Sequence, residues 1–271
     1  MERQDLDSWE TEARASLPPM VADYYAGGAR DEHTLRANRS AWSSYALRHR
    51  VLTDVSRVDT TCQISGIRLS MPILAAPTAF HGLAHPDAER ETARGVAAAG
   101  TAICLSTLSN APVEDVVASA AGAALFQLYV YRDRGATAEI VARVREAGCK
   151  ALVLTADAPV LGTRHRDVKN RFYLPAWLSL PNAAPSGRRL DGDPRDSGLS
   201  RYVSDQLDRT LGWPELEQLV ASAGLPVWIK GVVRGDDAAR AASLGVAGVI
   251  VSNHGGRQLD GGIATARALP D

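Results

Sequence analysis

Cysteine is scarce: Cys62, Cys104 and Cys149 are the three in 271 residues. They are odd in number and scattered, so neither a disulfide framework nor a zinc site is expected, and reduced thiols in a cytoplasmic protein fit better. An excess of one charge is also missing, since 30 Lys and Arg stand against 31 Asp and Glu. That balance gives no electrostatic reason to expect a nucleic-acid partner. No stretch has the uninterrupted apolar length needed to span a bilayer. The opening MERQDLDSWETEAR is charged where a secretory leader would be apolar. Sequence repeats of about 20–50 residues are absent too. These absences leave a soluble, cytoplasmic α/β domain long enough to bury one large core.

The pattern from residue 71 onward fits that class. Short apolar runs at 72–76, 101–106, 123–129, 151–155, 226–230 and 248–252 predict six strands. Amphipathic segments at 85–99, 112–120, 137–147, 213–221 and 236–244 predict helices between them. Strand–helix alternation of this kind points to parallel βα units, and the length suits a TIM-type (β/α)8 barrel. Residues 1–70 are expected to form a separate cap. In it, Asp7 N-caps a helix that ends at Leu17-Pro18-Pro19, and a second helix follows from Met20 to Tyr25. A polar helical pattern covers 31–42, and short strands lie around Ser65-Gly66. The barrel then occupies 71–271, with a lid-like insertion over about 156–210, too long for an ordinary βα connection. Within the insertion, 181–199 is rich in Gly, Pro, Ser, Asp and Arg and is expected to be mobile. The apolar piece from Phe172 to Leu178 suits packing on the barrel better than lining a pocket or touching a membrane.

The last expected strand ends in Ser252-Asn253-His254-Gly255-Gly256-Arg257-Gln258. A histidine here could move a proton near neutral pH, and an arginine three residues on could hold a carboxylate. Read alone, such a stretch is more often a hydrogen-bonded structural histidine before a Gly-Gly turn than a functional site. The other strand ends add Pro77, Thr78, Ala79, Ser106, Gln127, Tyr129, Thr155, Asp157 and Lys230. Each of these could simply end a strand or satisfy a core hydrogen bond. In a barrel, however, every strand exit opens on one face, where the set would converge. It is rich in donors and carries a cation, which suits a planar, carbonyl-bearing cofactor and a carboxylate substrate.

Several pieces carry a family resemblance. They are Asp23-Tyr24-Tyr25-Ala26-Gly27-Gly28-Ala29, Ala76-Pro77-Thr78-Ala79, Gln127-Leu128-Tyr129, Thr155-Ala156-Asp157-Ala158-Pro159, Gly162-Thr163-Arg164, Lys169-Asn170-Arg171-Phe172, Ile229-Lys230-Gly231 and the Ser252–Asp260 stretch. Together they span nearly the whole chain, which resembles the FMN-dependent α-hydroxy acid oxidase/dehydrogenase family. Within that family it looks most like a mandelate or hydroxymandelate oxidase. The resemblance implies FMN as cofactor and oxidation of an (S)-2-hydroxy acid to the 2-oxo acid. It makes His254 the acid/base and Asp157 its partner, with Arg257, Arg164 and Tyr24 on the substrate carboxylate. Tyr129 would contact the substrate oxygen, and Lys230 would lie at the flavin's N1/O2 edge. Pro77, Thr78, Ala79, Ser106, Gln127, Thr155 and Ser252 would hold the ring and ribityl chain.

Leu108 departs from the tryptophan of glycolate-oxidising members. It predicts a wider pocket and a mandelate-type substrate, unless it only packs under the lid. Oxygen is the expected acceptor, with a membrane-quinone-linked dehydrogenase as the alternative. Family likeness also implies a homotetramer. The family continues through two further βα units that carry a flavin-phosphate site, so this chain is expected to be C-terminally truncated. A non-catalytic partial barrel awaiting that part is the alternative to an enzyme.

Overall fold

The computed structural model describes residues 5–184 and 198–271. Its N-terminal part is helical: α1 (Leu6–Ser16), α2 (Pro19–Ala26) and α3 (His33–Ser40), then a 3-10 turn at Ala41–Ser44. Asp5, not Asp7, caps α1, accepting from the Ser8 N–H at 2.7 Å. Asp7 instead lies in the first turn and pairs with Arg39 of α3 at 2.5 Å. Pro18 and Pro19 separate α1 from α2, because proline at a first helical position forfeits no hydrogen bond. α3 is shorter than the 31–42 expected, since its start is fixed from afar. The Thr34 N–H donates to Asp260 at 2.9 Å. Strands β1 (Cys62–Ile64) and β2 (Ile67–Leu69) form an antiparallel hairpin. Ser65 and Gly66 take positive φ (45° and 79°), as a two-residue hairpin turn of matching twist requires.

Five parallel strands follow in sequence order: β3 (Ile103–Ser106), β4 (Ala124–Leu128), β5 (Leu152–Thr155), β6 (Val227–Val232) and β7 (Gly248–Val251). Helices α4 (Glu89–Ala98), α5 (Val113–Ser119) and α6 (Arg134–Glu146) precede or link the first of them. Two helices, α7 (His165–Lys169) and α8 (Leu199–Gln206), lie in the long insertion, and α9 (Trp213–Ser222) and α10 (Gly235–Ser243) complete the alternation. Sequential parallel strands, each crossing over through a helix, form a partial (β/α) barrel. The first of the six expected strands, at 72–76, is not formed. Only Ala75 bridges Ile103 there. Pro72 and Pro77 bracket the segment, and neither has an N–H to extend a ladder.

Alternation along the strands sorts the side chains into two layers. Leu105, Phe126, Leu154 and Ile229 enter the large core shared with the helices. Cys104, Leu125, Val153, Trp228 and Ile250 face the other way and cluster with Ile67 and Leu69 of the hairpin. The hairpin closes the floor of this inner column, where the Trp228 indole N–H donates to Ser65 Oγ at 3.0 Å. Gly248 is required beside it, because a Cβ there would lie 2.3 Å from the Trp228 ring. All three cysteines are free thiols.

The insertion packs more than its composition suggests. Phe172, Leu174 and Leu178 are buried, while Trp177 is exposed. Asn182, expected in a mobile stretch, is buried and stapled to the loop after β3. Its Nδ2 donates to Ser109 Oγ at 2.6 Å, and its Oδ1 accepts from the Val113 N–H at 2.9 Å. Leu199, the last residue of that stretch, opens α8. Residues 185–197 lie outside the described residues.

Candidate active site

Two positions beyond the inner apolar column, the same parity places Ser106, Gln127, Thr155, Lys230 and Ser252. Register pairs Ser106 with Gln127 and Thr155 with Lys230. A strand pattern of apolar, any, polar, repeated on five neighbours, turns a dry interior into a polar rim at the strand ends. This rim lines a cavity of about 350 Å³. Pro77, Thr78 and Ala79 border it on one side, and Tyr24, Arg164, His254 and Arg257 on another. Leu108 and Tyr129 also line it. Asp157 does not, and reaches the site through His254.

His254 follows β7 in a left-handed turn, with φ of 60°, 68° and 71° at His254, Gly255 and Gly256. Glycine tolerates that conformation, and histidine adopts it only when its surroundings enforce it. Its N–H donates to Ser252 Oγ at 3.0 Å, and Nδ1 lies 2.8 Å from Asp157 Oδ1. Space for Asp157 comes from a bulge in β6. Gly231 has φ of 110°, and a Cβ on it would lie 2.6 Å from the aspartate side chain. Burial pushes the His254 imidazole below its ordinary range. Asp157 opposes that shift, whereas the cations of Lys230 and Arg164 add to it.

Two guanidinium groups line the same cavity. Arg257 Nη1 donates to the carbonyls of Tyr24 at 2.7 Å and Gly27 at 2.6 Å, at the C-terminal end of α2. Arg164 is buried, with Asp167 3.5 Å away. Both lie over the Tyr24 ring, at 5.9 Å for Arg164 and 5.0 Å for Arg257. Tyr24 in turn stacks on Phe172 with centroids 4.4 Å apart. Burial and the neighbouring Arg164 charge lower the Arg257 pKa. Two like charges held together in a cavity favour an anion between them, and the planar fork suits a carboxylate. Burial also raises the Tyr129 phenol, which stays a neutral hydroxyl at working pH.

Ser106 Oγ donates to Gln127 Oε1 at 3.1 Å, which fixes the amide. Gln127 Nε2 and Thr155 Oγ1 are then buried without a hydrogen-bond partner among the described residues. Orphaned polar atoms on a cavity wall call for a ligand with matching groups. The composition of the insertion hid one part of the wall, Leu199, Val203 and Leu207. Their i, i+4, i+8 spacing was the available signal. Leu161, also unpredicted, joins them.

The model of the family described as FMN-dependent dehydrogenase matches residues 13–271. Glycolate oxidase of Spinacia oleracea is 46% identical over all of this chain, which covers 73% of that protein. Glycolate oxidase 3 of Arabidopsis thaliana is 45% identical, also over the whole chain and 74% of its own length. Among solved structures, a mandelate oxidase with (S)-4-hydroxymandelic acid superposes with a TM-score of 0.90 at 36% identity. That match covers 97% of this chain and 74% of the other. The unpartnered amide and hydroxyl on the cavity wall fit FMN, whose ring edge carries both donors and acceptors. The chain therefore belongs to the FMN-dependent dehydrogenase family, and its chemistry is the FMN-dependent oxidation of a 2-hydroxy acid.

Proposed function

We propose that the substrate is an aryl or long-chain (S)-2-hydroxy acid of the mandelate type, oxidised with oxygen as acceptor. The observation that carries this reading is the apolar wall made by Leu108, Leu161, Leu199, Val203 and Leu207. A glycolate molecule offers nothing to bury there, whereas a phenyl ring does. The mandelate oxidase that superposes on this fold is solved with an aryl acid, which supports the same class.

Arg257 and Arg164 grip the substrate carboxylate, and Tyr24 forms the surface beneath them. Tyr129 donates a hydrogen bond to the substrate's oxygen. With Nδ1 engaged by Asp157, His254 has Nε2 left to take a proton from the substrate's carbinol group, and Asp157 stabilises the imidazolium that results. FMN, when bound, supplies a two-electron acceptor. Ser106, Gln127, Thr155, Lys230, Ser252 and the 77–79 segment hold it, with the Lys230 cation favouring negative charge on the ring. Residues 1–70 act as a cap, and the described parts of the insertion, which carry α7 and α8, act as a lid whose α8 shapes the substrate end.

Steady-state rates on mandelate and glycolate test the proposal, with oxygen uptake compared against dye reduction for the acceptor. Higher kcat/KM on glycolate would reject the aryl reading in favour of a small acid, which the 46% identity to glycolate oxidase favours. Replacing Leu108 with Trp fills the space left for the ring. It is expected to lower kcat/KM for mandelate by about tenfold or more while sparing glycolate. A proportional loss on both acids would show that Leu108 serves packing alone.

The depressed imidazole gives a second expectation. A base accepts a proton only when neutral, so activity falls as pH drops through the His254 pKa. Because burial lowers that pKa, the acid limb of the kcat/KM profile should lie below 6.5, the ordinary histidine value. An acid limb above that value would assign it to another group.

A further inference from the structure

We infer that Asn38, on the outer helix α3, is a positioning residue for His254, acting through a reciprocal amide pair with Asn253. The inference rests on the proposed role of His254. Asn38 does not line the cavity, and 215 residues of chain separate it from Asn253. Asn38 Nδ2 donates to Asn253 Oδ1 at 2.9 Å, and Asn253 Nδ2 donates back to Asn38 Oδ1 at 2.7 Å. Asn253 uses its remaining capacity to shape the turn. Its Oδ1 accepts from the Gly256 N–H at 3.0 Å, and its Nδ2 donates to the Ile263 carbonyl at 2.9 Å. Every donor and acceptor of this amide is thereby engaged, and half of its bonds come from Asn38.

The turn that Asn253 closes is the one that holds His254 left-handed. A histidine in that conformation relaxes unless the surrounding bonds over-determine it. α3 is well placed to supply the restraint, because its own position is fixed against the same loop. Gly256 packs so closely on α3 that a Cβ would lie 2.6 Å from the Leu35 nitrogen. The Gly256 carbonyl accepts from the Ala29 N–H at 2.8 Å, and Asp260 caps Thr34. The imidazole itself is bonded to Asp157 through Nδ1, and the charges acting on it are those of Asp157, Lys230 and Arg164. Removing the Asn38 amide should therefore loosen the backbone behind the histidine without touching the residues in front of it. Arg257 is held separately by backbone carbonyls of α2 and its following loop, so the carboxylate grip should survive.

The test compares Asn38→Ala with Arg39→Ala, a neighbouring change on the same helix, in the full FMN-loaded chain. The first readout is the downfield proton resonance of the His254 Nδ1–H bonded to Asp157, assigned by its loss in His254→Gln. The second is the split between kcat and KM. Asn38→Ala is expected to shift or broaden the resonance and lower kcat by about tenfold. KM should stay within about twofold, and Arg39→Ala should change neither readout. Asn38→Leu keeps the shape and improves helix propensity, so it gives the same answer should the alanine variant fold poorly. An unchanged resonance and kcat in a folded Asn38 variant would overturn the inference. Full turnover in His254→Gln would instead overturn the role of the histidine, while the resonance would still report on the clamp.

Discussion

Replacing His254 with glutamine is expected to reduce turnover of the hydroxy acid by about 10²–10⁴-fold, the range for loss of a positioned general base. Glutamine has comparable reach and can still donate to Asp157, so the turn and cavity should survive. It cannot accept a proton at working pH, and this is the single property removed. FMN absorbance should be unchanged, since the ring contacts come from the strand ends rather than from the imidazole. Binding of a non-reacting carboxylate, followed by perturbation of the visible spectrum, should also persist because Arg164 and Arg257 remain. Loss confined to kcat, with binding retained, separates proton transfer from substrate capture. A fall in turnover smaller than about tenfold would remove His254 from the chemical step.

The largest stability effect is expected at Glu89, which does not itself line the cavity. Its side chain is 1% exposed. Oε1 accepts from the His81 N–H at 3.0 Å, and Oε2 accepts from the N–H groups of Asn110 and Ala111, each at 2.9 Å. One carboxylate therefore ties the loop after Pro77-Thr78-Ala79 to the loop after β3 that carries Leu108. Glu89→Ala strands three backbone donors in the interior, and each unsatisfied donor costs about 1–3 kcal/mol. A loss on the order of 3–5 kcal/mol is expected, large against the roughly 5–15 kcal/mol that holds a typical domain together. Urea unfolding should show it as a lower midpoint with the slope kept. Glu89→Gln should recover only part, because its amide nitrogen cannot accept from the donors it would face. A destabilisation below about 1 kcal/mol would mean that water or other groups replace the carboxylate.

Local pattern made the strand-end column legible in the sequence. Ser106, Gln127, Thr155, Lys230 and Ser252 lie at the ends of apolar runs, so reading the strand exits brought them to one face, and the structure adds that each sits two residues past an inward apolar side chain. The same reasoning overcounted at 72–76, where the apolar run is right but the flanking prolines deny a ladder. The helix-start signal pointed to Asp7 as a cap, whereas Asp5, two residues earlier, has the geometry. Partners distant in the chain were illegible. Glu89 looks like an ordinary acid at a helix start, and nothing local shows that two loops deliver three donors to it. The Asn38–Asn253 pair is hidden for the same reason. In the insertion, the Gly- and Pro-rich stretch drew attention away from Leu199, Val203 and Leu207, whose helical spacing lines the cavity wall.

Arg257 does more than face the cavity, because it is seated on carbonyls of Tyr24 and Gly27 at a helix C-terminus, where a cation is favoured. The position of this cavity-lining cation is thus encoded partly in a segment that precedes the first strand of the parallel sheet. An exchange of residues 19–27 for a relative's segment is therefore expected to move the Arg257 guanidinium, because the carbonyls that seat it would move as well.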